Sequence, residues 1–200
     1  LVASQPDLAV CAEAPDAAQG LQAILDTQPD LALVDITLPG RNGLDLIKDV
    51  IAQQPGLPIV VLSMHEESLY AERALKAGAR GYLMKDADRD TILEAIRRVL
   101  AGGFFVSDKM SSEMFASVAG KAQSLKGSVS CLSDREFEIF ELLGHGLSTV
   151  DIARRLGISP KTVEVHRAHI REKLAQPSGA TVVRLAIRWI ESRNLGERVN

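Results

Sequence analysis

Three polar residues close three apolar runs in the first half of the chain. Asp35 follows Leu31 to Val34, Ser63 follows Ile59 to Leu62, and Lys85 follows Gly81 to Met84. A carboxylate can attack a phosphoryl donor and carry the group as an aspartyl phosphate. A hydroxyl and an ammonium beside it would hydrogen-bond to the added oxygens and neutralise them. Each residue alone has an ordinary use, since an Asp after a strand caps a turn, a Ser caps a helix and a Lys is solvated. Together, at three run ends, they point to one anion-handling site. A different chemistry is available in the second half. Between Arg154 and Lys173 there are six Lys/Arg and two Asp/Glu, and such a face can meet phosphates and base edges.

These groups need a frame. Before residue 102, short apolar runs (Leu8 to Ala12, Leu31 to Val34, Ile59 to Leu62, Gly81 to Met84) alternate with amphipathic stretches (Asp16 to Asp26, Gly43 to Gln54, Ser68 to Ala77, Arg89 to Ala101). Repeated strand-then-helix units predict an α/β domain with a parallel sheet covered on both faces. Leu31-Ala32-Leu33-Val34, apolar on both faces, fits a buried parallel strand. In such sheets ligands collect outside the carboxyl ends of the strands, where the three polar residues stand. After residue 130 the strand period is gone. Ser133-Asp134-Arg135-Glu136 reads as a capping box ahead of an apolar stripe of Phe137, Phe140, Leu142 and Leu143. Ser148 with Asp151 reads as a second box, and Ser159-Pro160 as a third helix start. Ala153 permits close helix approach and Gly157 a tight turn, giving a helix-turn-helix. In its second helix Val163, Ile170 and Leu174 mark the inner stripe, leaving Lys161, Glu164, Val165, Ala168, His169 and Arg171 outward. An ordinary solvated helix pair would carry the same turn. His166 and His169 have metal-pair spacing, but with no third ligand in reach a packing or DNA-facing role is expected.

Composition sets the bounds. Two hundred residues, 46% hydrophobic and 24% charged, suit one or two packed domains and exclude a disordered or collagenous chain. The apolar runs are far shorter than a membrane span and no basic-then-apolar leader opens the chain, so a cytoplasmic protein is expected. Cys11 and Cys131 are too few for a disulfide framework and read as small apolar residues. Residues 1–120 hold 10 Lys/Arg against 17 Asp/Glu, whereas residues 121–200 hold 13 against 9. An acidic half joined to a basic half suggests modules with different partners. From Gly102 to Ser130 both periods fade into Gly, Ser, Lys and Ala, which reads as a linker. The expected organisation is therefore a domain over 1–101, a linker over 102–130 and a second domain over 131–200.

Asp35-Ile36-Thr37-Leu38-Pro39-Gly40 with Asn42-Gly43, then Val61-Leu62-Ser63, then Gly78 to Asp86, resembles the receiver domain of two-component response regulators. The resemblance implies a flavodoxin-like fold with Asp35 as phospho-acceptor, Ser63 as the hydroxyl that follows the phosphoryl group and Lys85 as its charge partner. It also implies Tyr82 as an aromatic that turns inward when Ser63 moves, and a Mg2+ ion held by Asp35 and the Thr37 carbonyl. Hard oxygen ligands suit that ion. The departure is at the start. Receivers open with a buried strand ending in adjacent acidic residues that hold the metal, and nothing precedes Leu1-Val2-Ala3-Ser4, which resembles the end of the first helix. Together with Leu1 in place of Met, this predicts an N-terminally truncated receiver, its Mg2+ belonging to the full-length form.

The run from Leu132-Ser133-Asp134-Arg135-Glu136 through Ile152-Ala153 and Ser159 to His166, ending at Lys173-Leu174, resembles the four-helix DNA-binding domain of the NarL/FixJ (LuxR-type) regulators. By that resemblance Lys161, Thr162 and Lys173 contact phosphates, and Glu164, Val165, Ala168 and His169 face bases. A Glu at 164 can accept from cytosine. The last helix packs the bundle and, in this family, often carries a dimer contact. The implied function is a transcriptional regulator switched by a sensor histidine kinase, binding duplex DNA as a homodimer; the alternative is a phosphorylation-independent regulator with a degenerate receiver. A phosphatase built on Asp35 fails on sequence. There is no Gly-rich phosphate loop, and no second Asp two residues on, as haloacid-dehalogenase-type phosphatases have, so the chain is not expected to be an enzyme. A small-molecule sensor on the same DNA-binding domain is disfavoured by the Asp35, Ser63 and Lys85 set.

Overall fold

Three short apolar segments pair in parallel, in the order β1 (Ala32–Val34), β2 (Ile59–Ser63), β3 (Gly81–Met84), with Val34 opposite Val61 and Ser63 opposite Met84. The computed structural model describes residues 1–112 and 129–197, with side chains to residue 192. Four helices interleave with the strands: α1 (Ala17–Thr27), α2 (Gly43–Gln53), α3 (Glu67–Ala77) and α4 (Arg89–Leu100). Each lies within one residue of the span predicted by its apolar period. Polar caps set three of the starts, with Asp16, Asn42 and Asp88 accepting from the backbone N–H of Gln19, Leu44 and Thr91. Val60, Leu83, Ala95 and Val99 form the buried contact between α4 and the sheet.

Two expectations about strands need correction. Among the described residues Leu8 to Ala12 pairs with no strand and stays largely exposed. Cys11 lies in this segment and is exposed rather than packed. Leu33, expected to be buried, is 41% exposed, because it points to the sheet face opposite the one that buries Ala32 and Val34.

Residues 104–110, which fall in the span read as linker, are tied to the sheet. Phe105 makes a parallel bridge to Gly81, accepting from Tyr82 N–H (2.9 Å) and donating to Arg80 O (2.9 Å), and Met110 is buried. Residues 113–128, including the Ser124 to Ser128 part of the linker reading, lie outside the described residues.

The chain divides into two compact units, Leu1–Ala122 and Gln123–Asn200. The second has four α-helices among its described residues: α5 (Asp134–Gly144), α6 (Thr149–Leu156), α7 (Pro160–Lys173) and α8 (Gly179–Glu197). The Ser133–Glu136 capping box is complete, each side chain bonding the other's backbone N–H. The Ser148–Asp151 box is only half formed. Ser148 Oγ accepts from Asp151 N–H (3.2 Å), but the shorter Asp carboxylate takes the Ser148 hydroxyl proton (2.6 Å) in place of its backbone N–H. Trp189 packs edge-on against Phe137 and Phe140 at 5.5 and 5.8 Å, closing the core with Ile152, Ile170 and Ala186. Among the described residues no helix is long and apolar enough to cross a membrane.

Candidate functional site

Asp35 leaves β1 into a loop that aims its carboxylate at β3. Oδ1 accepts from Thr37 N–H (3.0 Å) and Oδ2 from Lys85 Nζ (2.6 Å), with the Asp35 side chain one-quarter exposed. Lys85 is delivered there by the sheet, because its N–H continues the ladder onto Ser63 O (2.8 Å). The loop closes by Gly43 N–H donating to Ile36 O (2.8 Å). Only glycine fits at 43, since a Cβ would sit 2.0 Å from the Asp35 carbonyl oxygen. Thus the three sequence-predicted residues share one end of the sheet.

His65, which no sequence signal marked beyond its place just after a strand end, ties this site together. His65 N–H donates to Ser63 Oγ (3.1 Å), its Nε2 meets Thr37 Oγ1 (2.9 Å), and its carbonyl accepts from the Tyr82 hydroxyl (2.7 Å). Ser63 and Tyr82 are both buried, so the aromatic is turned inward.

The Mg2+ expected with Asp35 and Thr37 does not fit the residues present. A hard cation needs several oxygen ligands, and among the described residues no group of three potential metal-ligating side chains includes Asp35. Moreover, Oδ2 already holds an ammonium.

In the second unit, Gly157 (φ 63°) makes the turn between α6 and α7, and Ser159 caps α7 by accepting from Thr162 N–H (3.0 Å). Arg135 locks α5 to the end of α6, donating to Leu156 O (3.1 Å) and pairing with the buried Glu138 (2.7 Å). Val163 and Ile170 face inward, while Lys161, Glu164, Val165, Ala168 and His169 are exposed together as predicted, with Thr162 half-buried. Two of the residues expected to contact DNA are already engaged. Glu164 accepts from Thr149 Oγ1 (2.7 Å) and Arg167 (3.0 Å), and Lys173 Nζ reaches Glu136 (2.6 Å). One expectation is overturned, because His166 and His169 do have a third potential ligand. Glu136, 30 positions earlier in sequence, is brought beside them by the packing of α5 on α7.

Comparison with known proteins agrees with both halves. Residues 1–97 match the response regulator receiver domain, and residues 130–186 match the bacterial regulatory proteins of the luxR family. The chain is 32% identical over 189 residues to the oxygen regulatory protein NreC of Staphylococcus carnosus, spanning 92% of this chain and 87% of that protein. It belongs to the LuxR-type response regulators. The nitrate/nitrite response regulator protein NarL of Escherichia coli K12 is 35% identical over 87% of this chain and 81% of its own length. Among solved structures, a LuxR-family two-component response regulator from Aurantimonas is similar, with 32% identity and a TM-score of 0.54 over 58% of this chain and 84% of that one. This response regulator is accordingly a two-component transcriptional regulator with a receiver and a helix-turn-helix DNA-binding domain.

Proposed function

We propose that this LuxR-type regulator is switched by phosphorylation of Asp35 from a sensor histidine kinase, and that it then binds duplex DNA in the cytoplasm as a homodimer. The observation that carries the reading is the 2.6 Å contact of Lys85 with Asp35 at the strand end that Ser63 also closes. In the transfer, an Asp35 carboxylate oxygen attacks phosphorus and the bond from phosphorus to the donor breaks. Lys85 passes from the carboxylate to the new phosphoryl oxygens and neutralises part of their charge. The Ser63 hydroxyl, held by His65 N–H at rest, turns to follow them. Tyr82, bonded through the same His65, carries the change outward. At α7, Lys161, Thr162 and Lys173 meet phosphates, and Glu164, Val165, Ala168 and His169 face base edges in the major groove.

Mass spectrometry after treatment with a small phosphodonor tests the first step. Gain of one phosphoryl group is expected for this chain, and none for the Asp35→Ala variant. Equal gain in the Asp35→Ala variant would remove Asp35 from its role.

A further inference from the structure

The second unit holds a cluster of potential metal ligands where α5 packs on α7, one of which, His169, also lies on the proposed DNA face. Glu136 is buried in the first turn of α5, and His166 and His169 stand one turn apart on α7. One ligand atom from each lies within 4.8 Å of the others. We propose that Glu136, His166 and His169 bind a divalent transition metal, Zn2+ by its chemistry, and that the bound ion clamps α7 to α5. Two imidazole nitrogens and a carboxylate oxygen, with a fourth position open to water, are a zinc donor set, whereas magnesium and calcium would want oxygens alone.

The cluster is satisfied on one side and open on the other. Glu136 Oε2 accepts from Ser133 N–H (2.8 Å) and Lys173 Nζ (2.6 Å). Oε1 faces His169 Nδ1 at 3.8 Å, too far for a hydrogen bond. His166 Nδ1 is buried with no hydrogen-bond partner, and native interiors rarely leave such an atom without one. An imidazole nitrogen without a hydrogen-bond partner can offer a metal its lone pair when the ring is neutral. Bonds of about 2.0–2.1 Å place tetrahedral donors about 3.4 Å apart. The cluster thus has to contract slightly on binding, and His169, with its side chain 54% exposed, is the member free to move.

Contraction draws His169 off the outward face of α7. Zinc would then weaken DNA binding or change its site preference, a consequence that rests on the DNA-contact reading above, although the metal site itself does not.

The test uses the whole chain, stripped with a chelator and titrated with Co2+ as a spectroscopic stand-in, followed by Zn2+. The expected result is the intense visible absorption of a four- or five-coordinate cobalt site, displaced stoichiometrically by Zn2+. Affinity should fall at least tenfold in His169→Ala, whose exposed position leaves the fold intact by circular dichroism, and stay unchanged in His145→Ala and Cys131→Ser. Absence of the absorption, or its survival at full strength in His169→Ala, overturns the site. Binding to duplex DNA is measured in parallel on the phosphodonor-treated chain. A chain that fails to bind DNA without metal refutes the DNA-contact reading while the cobalt spectrum still stands. A normal spectrum with DNA binding indifferent to zinc overturns the withdrawal of His169.

Discussion

At the scale of single residues, the proposed DNA-reading surface separates into exposed side chains and side chains with prior commitments. Lys161 is exposed in the first turn of α7, whereas Lys173 supports the buried carboxylate of Glu136. Lys161→Ala should therefore weaken binding to all duplex sequences alike, by several-fold at low salt, with no change in thermal stability. Lys173→Ala should lower both DNA affinity and melting temperature, because it leaves a buried carboxylate short of a partner. Val165, 47% exposed with no polar role, should on replacement by Ala redistribute preference among sites. Fluorescence anisotropy with a small panel of duplexes separates these outcomes, and uniform scaling by Val165→Ala would misplace the base-reading face. Much of this surface was legible in the sequence, since helical spacing alone divides Val163 and Ile170 from Lys161, Val165 and His169. What was not legible is long-range pairing. Glu136 reads as a capping-box residue and nothing in its neighbourhood announces His166, while His65 reads as an unremarkable loop residue until the fold sets it between Thr37 and Tyr82.

The elements were predicted from local chemistry, and their starts were the most readable part because caps are written in the sequence beside them. Ser159→Ala removes the acceptor for Thr162 N–H at the head of α7 and should cost about 1 kcal/mol in denaturant unfolding of the second unit. Gly43 makes a stronger demand. A methyl group there would collide with the Asp35 carbonyl, so Gly43→Ala should destabilise the first unit by at least about 3 kcal/mol and displace the Asp35 loop. Acid acts through the caps as well. At Asp88, hydrogen bonds from the Thr91 hydroxyl and backbone hold the carboxyl below its ordinary pKa, outweighing a small opposing effect of desolvation. A carboxyl whose folded pKa is depressed stabilises the fold above its unfolded value of 3.8 and loses that contribution as pH falls through the lower folded value. The α4 helix should therefore fray on acidification below about pH 4, by circular dichroism, and Asp88→Asn should flatten that dependence. Strands were harder to read. Leu8 to Ala12 has the composition of a strand yet pairs with none among the described residues, and pairing is a property that no local pattern encodes.

At the scale of the whole molecule, two units with separate cores should unfold separately. Calorimetry should resolve two transitions, with Ser159→Ala moving one and Gly43→Ala the other; a single transition moved by both would contradict independent cores. The division was visible in the charge split between halves and in the fading periods after residue 102. The attachment of Phe105 and Met110 to the first unit was not, because one bridge and one buried methionine leave no periodic trace. DNA binding by the basic unit should fall steeply with added salt, the logarithmic slope counting the phosphates contacted. The tie from Phe105 to the sheet carries a different consequence. A first unit cut off at residue 101 loses both backbone hydrogen bonds of Phe105 and the buried Met110, so it should melt at a lower temperature than one ending at residue 112. Equal melting temperatures would show that this tie contributes nothing to the fold.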